Sequence, residues 1–65
     1  MTIFQIECFL AVAEHLNFAR AATQLNVSQP AITRQIHTLE EELGTQLFIR
    51  STRMVRITEN GRIFQ

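Results

Sequence analysis

Among the side chains of residues 28–37, Ser28, Gln29, Thr33, Arg34 and His37 share one polar side of the segment, and no acid stands among them. A guanidinium or carboxamide presents a planar set of hydrogen-bonding groups that fits the edge of a base, while a hydroxyl or a free backbone amide suits a phosphate oxygen. Nothing comparable is arranged for catalysis. His15 and His37 are too far apart to form a paired ligand motif, the single cysteine leaves no zinc spacing, and no Ser, Cys or His has a base and an orienting group beside it. Gly44 and Gly61 are the two glycines and make no glycine-rich phosphate loop. No metal, no cofactor and no enzymatic activity are expected. The chemistry that remains is recognition of a polyanion, and a helix bearing these groups can enter a groove of DNA.

The element that must carry these groups is legible around them. Ile32, Ile36, Leu39 and Leu43 recur at i, i+4, i+7 and i+11, the repeat of a helix with one buried stripe. At 100° per residue, Pro30, Thr33, Arg34 and His37 fall roughly opposite that stripe, with Gln29 beside them in the first turn. Ser28 is a good N-cap, and Pro30 is tolerated in a first turn because it removes an amide that has no intrahelical partner. The helix therefore runs over 28–43, and its N-terminal amides can meet a phosphate. Gly44 closes it, preceded by Glu40, Glu41 and Glu42 at the end disfavoured by the helix dipole. Those acids read either as a solvated face or as a charge that turns this end away from DNA.

Residues 2–16 read as a first helix with Ile3, Ile6, Phe9, Leu10, Val12, Ala13 and Leu16 toward the core. Phe4, Cys8 and Ala11 form a thinner second stripe, flanked by Glu7, Glu14 and His15, expected to face away from that core. It is either a seam for a partner helix or ordinary scattered apolar surface. Asn17 is a plausible N-cap for a helix over 18–25, with Ala21, Ala22 and Leu25 inward and Arg20 and Gln24 outward. Asn26 can end it in the left-handed conformation, and Val27 plugs the short turn before Ser28. Two helices joined so tightly, with small residues where they cross, describe a helix-turn-helix, a spacing that helical hairpins elsewhere can mimic. Leu47–Arg50 and Val55–Thr58 have strand character and are separated by Ser-Thr-Arg-Met, which predicts a β-hairpin wing bearing Arg50, Arg53 and Arg56. An arginine near its tip can reach a phosphate or the minor groove. Thr58 with Glu59 caps a last helix that has run for a few residues at Gln65, and Gly61 blurs where it begins.

At 65 residues this is one small domain, which buries about 60% of the surface its unfolded chain exposes. Its apolar residues, 46% of the chain, fall at periodic positions rather than in runs, so neither a disordered tail nor a membrane span is expected. No repeat, low-complexity stretch or secretory signal is visible, and a lone Cys8 behaves as a small apolar residue in a reducing compartment, so a cytoplasmic location is expected. The net charge of zero argues against nucleic acid when only the total is considered. The distribution points the other way. All six cations are arginine, Arg34, Arg50, Arg53 and Arg56 lie within 34–56, and the acids gather at Glu7, Glu14 and 40–42. A solvated surface on a neutral protein is the competing account.

The stretch FARAATQLNVSQPAITRQIHTLEEELGTQLFIRSTRMVRITENG resembles the N-terminal domain of LysR-type transcriptional regulators. The combination of RAA, SQPAIT, the LE and LG at the helix end, LFIR and TENG is more specific than any one piece, and it covers nearly the whole chain. The resemblance implies a mainly α, winged helix-turn-helix fold: three helices plus a short β-hairpin over 1–58, then the start of a linker helix over 59–65. It implies base or adjacent phosphate contacts from Gln29, Pro30, Thr33 and Arg34 in the major groove, and a minor-groove contact from Arg53. Ser28, Arg50 and Arg56 are expected to join Arg53 on the backbone or minor groove. Ala19 departs from the Ser or Thr often found in the family, which puts one phosphate contact of the second helix in doubt. The family assembles as homodimers and tetramers through the linker helix and carries an effector-binding domain, neither of which this chain contains in full. A monomer or weak dimer is therefore expected. Since the linker helix packs near the first helix in the family, the Phe4, Cys8 and Ala11 stripe is expected to be its seam. The expected function is sequence-specific DNA binding by a bacterial regulator, against the alternative of a helical protein-interaction module.

Overall fold

The computed structural model describes residues 1–51 and 54–65. Four helices and one hairpin follow in order: α1 (Ile3–His15), α2 (Phe18–Leu25), α3 (Gln29–Leu43), β1 (Phe48–Arg50), β2 (Val55–Ile57) and α4 (Glu59–Phe64). Each helix begins where a side chain can satisfy a free amide. Thr2 opens α1 with a capping box, its Oγ1 accepting from the Gln5 amide while Gln5 Oε1 accepts from the Thr2 amide, both at 3.0 Å. Asn17 Oδ1 accepts from the Arg20 amide at 2.9 Å, Ser28 Oγ from the Ala31 amide at 3.2 Å and Thr58 Oγ1 from the Gly61 amide at 2.9 Å. The ends of the first three helices are equally defined: Leu16, Asn26 and Gly44 take left-handed conformations with φ of 50°, 59° and 69°. Leu16 does so without the freedom of glycine or the side chain of asparagine, because Asn17 must follow at once as the next cap.

The core gathers between α1, α2, α3 and the base of the hairpin. Ala21 and Ala22 are buried where α2 meets its neighbours, and Ile32, Ile36 and Leu39 form the buried stripe of α3. Four phenylalanines run through this core as a chain: Phe64 meets Phe9 edge-on at 5.0 Å, Phe9 lies 5.4 Å from Phe48, and Phe48 meets Phe18 at 6.2 Å. Helix α4, α1, β1 and α2 are thus in aromatic contact. The face of α1 differs from the sequence expectation. Cys8 and Ala11 are buried in the core and Phe4 packs against it, whereas Ile3 and Leu10, expected inward, are exposed. Small side chains at Cys8 and Ala11 let α1 lie close to its neighbours, so the thin stripe joins Phe9 and Val12, which are buried as expected, on the inner side. The seam expected at Phe4, Cys8 and Ala11 is accordingly corrected: Cys8 and Ala11 have almost no outward surface to offer a partner helix, and Phe4 is partly buried against the core.

The hairpin is antiparallel, with Phe48 opposite Ile57, Ile49 opposite Arg56 and Arg50 opposite Val55. Its strands are one residue shorter than the sequence suggests at the outer ends. Thr58 leaves the ladder to cap α4, although its amide still donates to the Leu47 carbonyl at 2.9 Å and its hydroxyl to the Gln46 carbonyl at 2.7 Å. Gly61 sits directly on this junction. A Cβ there would stand 2.5 Å from the Leu47 carbonyl oxygen and 2.7 Å from Ile57 Cγ1, so the residue at this point of α4 must be glycine for reasons of space.

Candidate nucleic-acid interface

Helix α3 presents what its spacing predicts. Gln29, Pro30, Arg34 and His37 are exposed and Thr33 is half-buried at the edge of the strip, while Ser28 lies exposed at the cap. The acid-free strip ends at His37. Glu41, one turn further along the same face, is also exposed, so the donors are confined to the N-terminal two-thirds of the helix. A duplex meeting this face finds the positive end of the helix dipole, an amide, a hydroxyl and a guanidinium at the near end and a carboxylate at the far one.

The hairpin brings its arginines to two different places. Alternation along the strands puts Phe48 and Arg50 on one face and Ile49 and Arg56 on the other. Arg50 turns back over the body of the protein, its Cζ 4.0 Å from the centre of the Phe18 ring. There it shares a shallow depression with Asn17 and Ala19 at the start of α2, Gln29 at the start of α3, and Ser51 and Met54 of the hairpin. Both helix starts and the wing therefore open onto one surface. Arg56 is exposed on the outer face of the hairpin, and Arg53 lies outside the described residues. Ser51 holds the base of the turn: its amide donates to the Met54 carbonyl at 2.9 Å, and its hydroxyl accepts from the Met54 amide at 3.1 Å.

Two residues have roles that the sequence did not disclose. Glu40 is not simply part of a solvated acidic face, because its Oε2 accepts from the Leu47 amide at 2.7 Å and the Phe48 amide at 3.2 Å. The carboxylate bolts the last turns of α3 to the first residues of the wing. His37 shares a cleft with Glu40 on its own helix and with Gln46, Phe48 and Arg50 of the wing. Neither position carries a local sequence signal, since both depend on a chain reversal through Gly44. Among the described residues, no group of three or more His, Cys, Asp or Glu comes together, and no helix is long and apolar enough to cross a membrane. The buried Cys8 thiol is held above its ordinary pKa, first by burial and then by the neighbouring Glu7 charge.

A tri-helical body, a recognition helix entered through a tight turn and a β-hairpin on the same surface define a winged helix-turn-helix domain of the DNA-binding class. The chain belongs to the bacterial regulatory helix-turn-helix proteins of the lysR family, whose profile matches residues 3–62. It is 52% identical over 64 residues to a probable cat1 operon transcriptional activator of Acinetobacter lwoffii, a match covering 98% of this chain and 21% of that protein. It is 58% identical over 55 residues to the transcriptional regulator XapR of Escherichia coli K12, covering 85% of this chain and 19% of that one. The fold superposes on the DNA-binding domain of CbnR in its complex with DNA with a TM-score of 0.95 at 48% identity, over 98% of this chain and 74% of that one. The chain thus spans about a fifth of the length of these two regulators.

Proposed function

We propose that this domain binds specific sites in double-stranded DNA as the reading head of a bacterial transcriptional regulator, acting in the cytoplasm by binding and without an enzymatic step. The observation that carries the reading is the convergence of the capped start of α3, the start of α2 and Arg50 of the wing on one acid-free surface. The likeness to a DNA-bound relative supports the same orientation. Gln29 and Arg34 read base edges in the major groove, with Thr33 assisting and Pro30 in apolar contact. Ser28 and the α3 amides meet the adjacent phosphate, Arg50 and Arg56 grip the backbone, and Arg53 reaches the minor groove. The whole regulator works as a dimer or tetramer, and the 65-residue domain is a monomer or a weak dimer that engages one half-site.

Binding sites selected from a random duplex pool provide the test. With about four to six phosphate contacts, affinity falls steeply with salt, by about 0.9 logarithmic units per contact for each tenfold rise in salt. Arg34→Ala and Gln29→Ala flatten the preference for the selected site by roughly 1 to 3 kcal/mol each, whereas Arg50→Ala weakens matched and scrambled duplexes alike. Equal losses on both duplexes for all three variants would show that α3 does not read bases.

A further inference from the structure

His37 stands at the far end of the donor strip of α3, exposed, and faces the cleft between that helix and the wing. Arg50 lines the same cleft, its guanidinium steadied over the Phe18 ring at 4.0 Å. A DNA backbone passing between recognition helix and wing would run between these two side chains. Resting on the DNA-binding reading above, we propose that His37 is a proton-dependent phosphate clamp: as imidazolium it joins Arg50 on one phosphate of the backbone, and as neutral imidazole it releases that contact.

The charges around it are of both signs. On α3 itself, Arg34 lies one turn before His37, and Glu40 and Glu41 follow at i+3 and i+4. Glu40 is already engaged by the Leu47 and Phe48 amides, so its carboxylate is turned to the wing rather than spent on His37. Glu41 is exposed and screened by solvent. From the wing side the cleft contributes Gln46 and the Arg50 cation, and from α2 the uncharged Phe18. Histidine is the side chain whose charge changes between about pH 5 and 8, and a phosphate beside it favours the charged form. DNA binding is then coupled to uptake of a proton, and affinity rises as pH falls. The other histidine is differently placed: His15 Nε2 is bonded to Gln24 Oε1 between α1 and α2.

Phosphate contacts are independent of sequence, so a mixed-sequence duplex of about 25 base pairs serves as the probe, titrated with salt at about pH 5.5 and pH 8. The expected result is a salt slope steeper by about 0.9 at the lower pH, one additional phosphate contact. H37Q should show one shallow slope at both values, H37R one steep slope at both, and H15Q the same pH difference as the unaltered protein. Equal slopes at the two pH values in the unaltered protein, with salt-dependent binding intact, would overturn the clamp and leave the DNA-binding reading standing. So would a pH difference that persists in H37Q or a shallow slope in H37R. Binding that ignores salt at both pH values would remove the underlying reading as well.

Discussion

At the scale of single residues, Cys8 and Glu40 illustrate how a side chain's environment overrides its type. Cys8 is 0% exposed and its pKa is raised by burial and by Glu7. Introducing a carboxylate there, Cys8→Glu, strands a charge in the core at a cost of several kcal/mol, and the domain should lose its cooperative thermal transition. The same burial has a sign in pH. The unfolded chain gives up the thiol proton at the ordinary thiol pKa while the folded chain holds it to higher pH, so the contribution is intact below the ordinary range and stability declines as pH rises through it. With neither Lys nor Tyr in the chain, few other groups titrate there. Chemical denaturation between about pH 7.5 and 10 should show the decline, and Cys8→Ala should remove it. Glu40 makes a complementary case. Glu40→Ala leaves the Leu47 and Phe48 amides without their acceptor and should lower stability by roughly 1 to 3 kcal/mol, with amide exchange accelerated first at the base of the wing.

At the scale of elements, the helix limits were legible because caps are local. Asn17, Ser28 and Thr58 each need a free amide three residues on, and Asn26 and Gly44 need little beyond a left-handed turn. The inward face of α3 was equally clear, since its apolar residues occupy one narrow arc. Helix α1 was not, because Ile3, Phe4, Ile6, Cys8, Phe9, Leu10, Ala11, Val12 and Ala13 surround most of its axis and periodicity cannot choose among them. Contact with α2, α3 and the phenylalanine chain made the choice, and those partners are remote in sequence. Of the candidate site, the strip on α3 was visible for the same reason as its buried stripe, whereas the meeting of Arg50 with Phe18 and Gln29 required the fold. Gly61 shows the limit from another side. A glycine early in a helix reads as a weak start, yet its role is to let α4 touch the Leu47 carbonyl. An exchange of glycine for alanine ordinarily stabilises a helix by about 1 kcal/mol. Gly61→Ala should instead destabilise the domain by about 1 to 3 kcal/mol in denaturant titrations, because the added methyl cannot be accommodated without moving backbone.

For the molecule as a whole, zero net charge conceals an uneven distribution: Arg34 and Arg50 on the recognition surface, Glu7 and Glu14 on α1, and Glu40, Glu41 and Glu42 at the far end of α3. Such a distribution can orient the domain toward a polyanion even though its sum is nil. The outer side of α1 and the end of α4 add a second property. Ile3 and Ile63 remain 80% and 77% exposed, with Leu10 and Leu16 also open. A surface with this much oil and no overall charge lacks the mutual repulsion that keeps dissolved particles apart. Near its isoelectric point of about 6.7 the domain should therefore be least soluble, with a negative second virial coefficient in light scattering that turns positive as pH moves away in either direction. Ile3→Glu with Ile63→Lys should raise the saturating concentration without altering the folded structure. A coefficient that stays positive through neutrality would mean that the open side chains are too dispersed to make the particles attract.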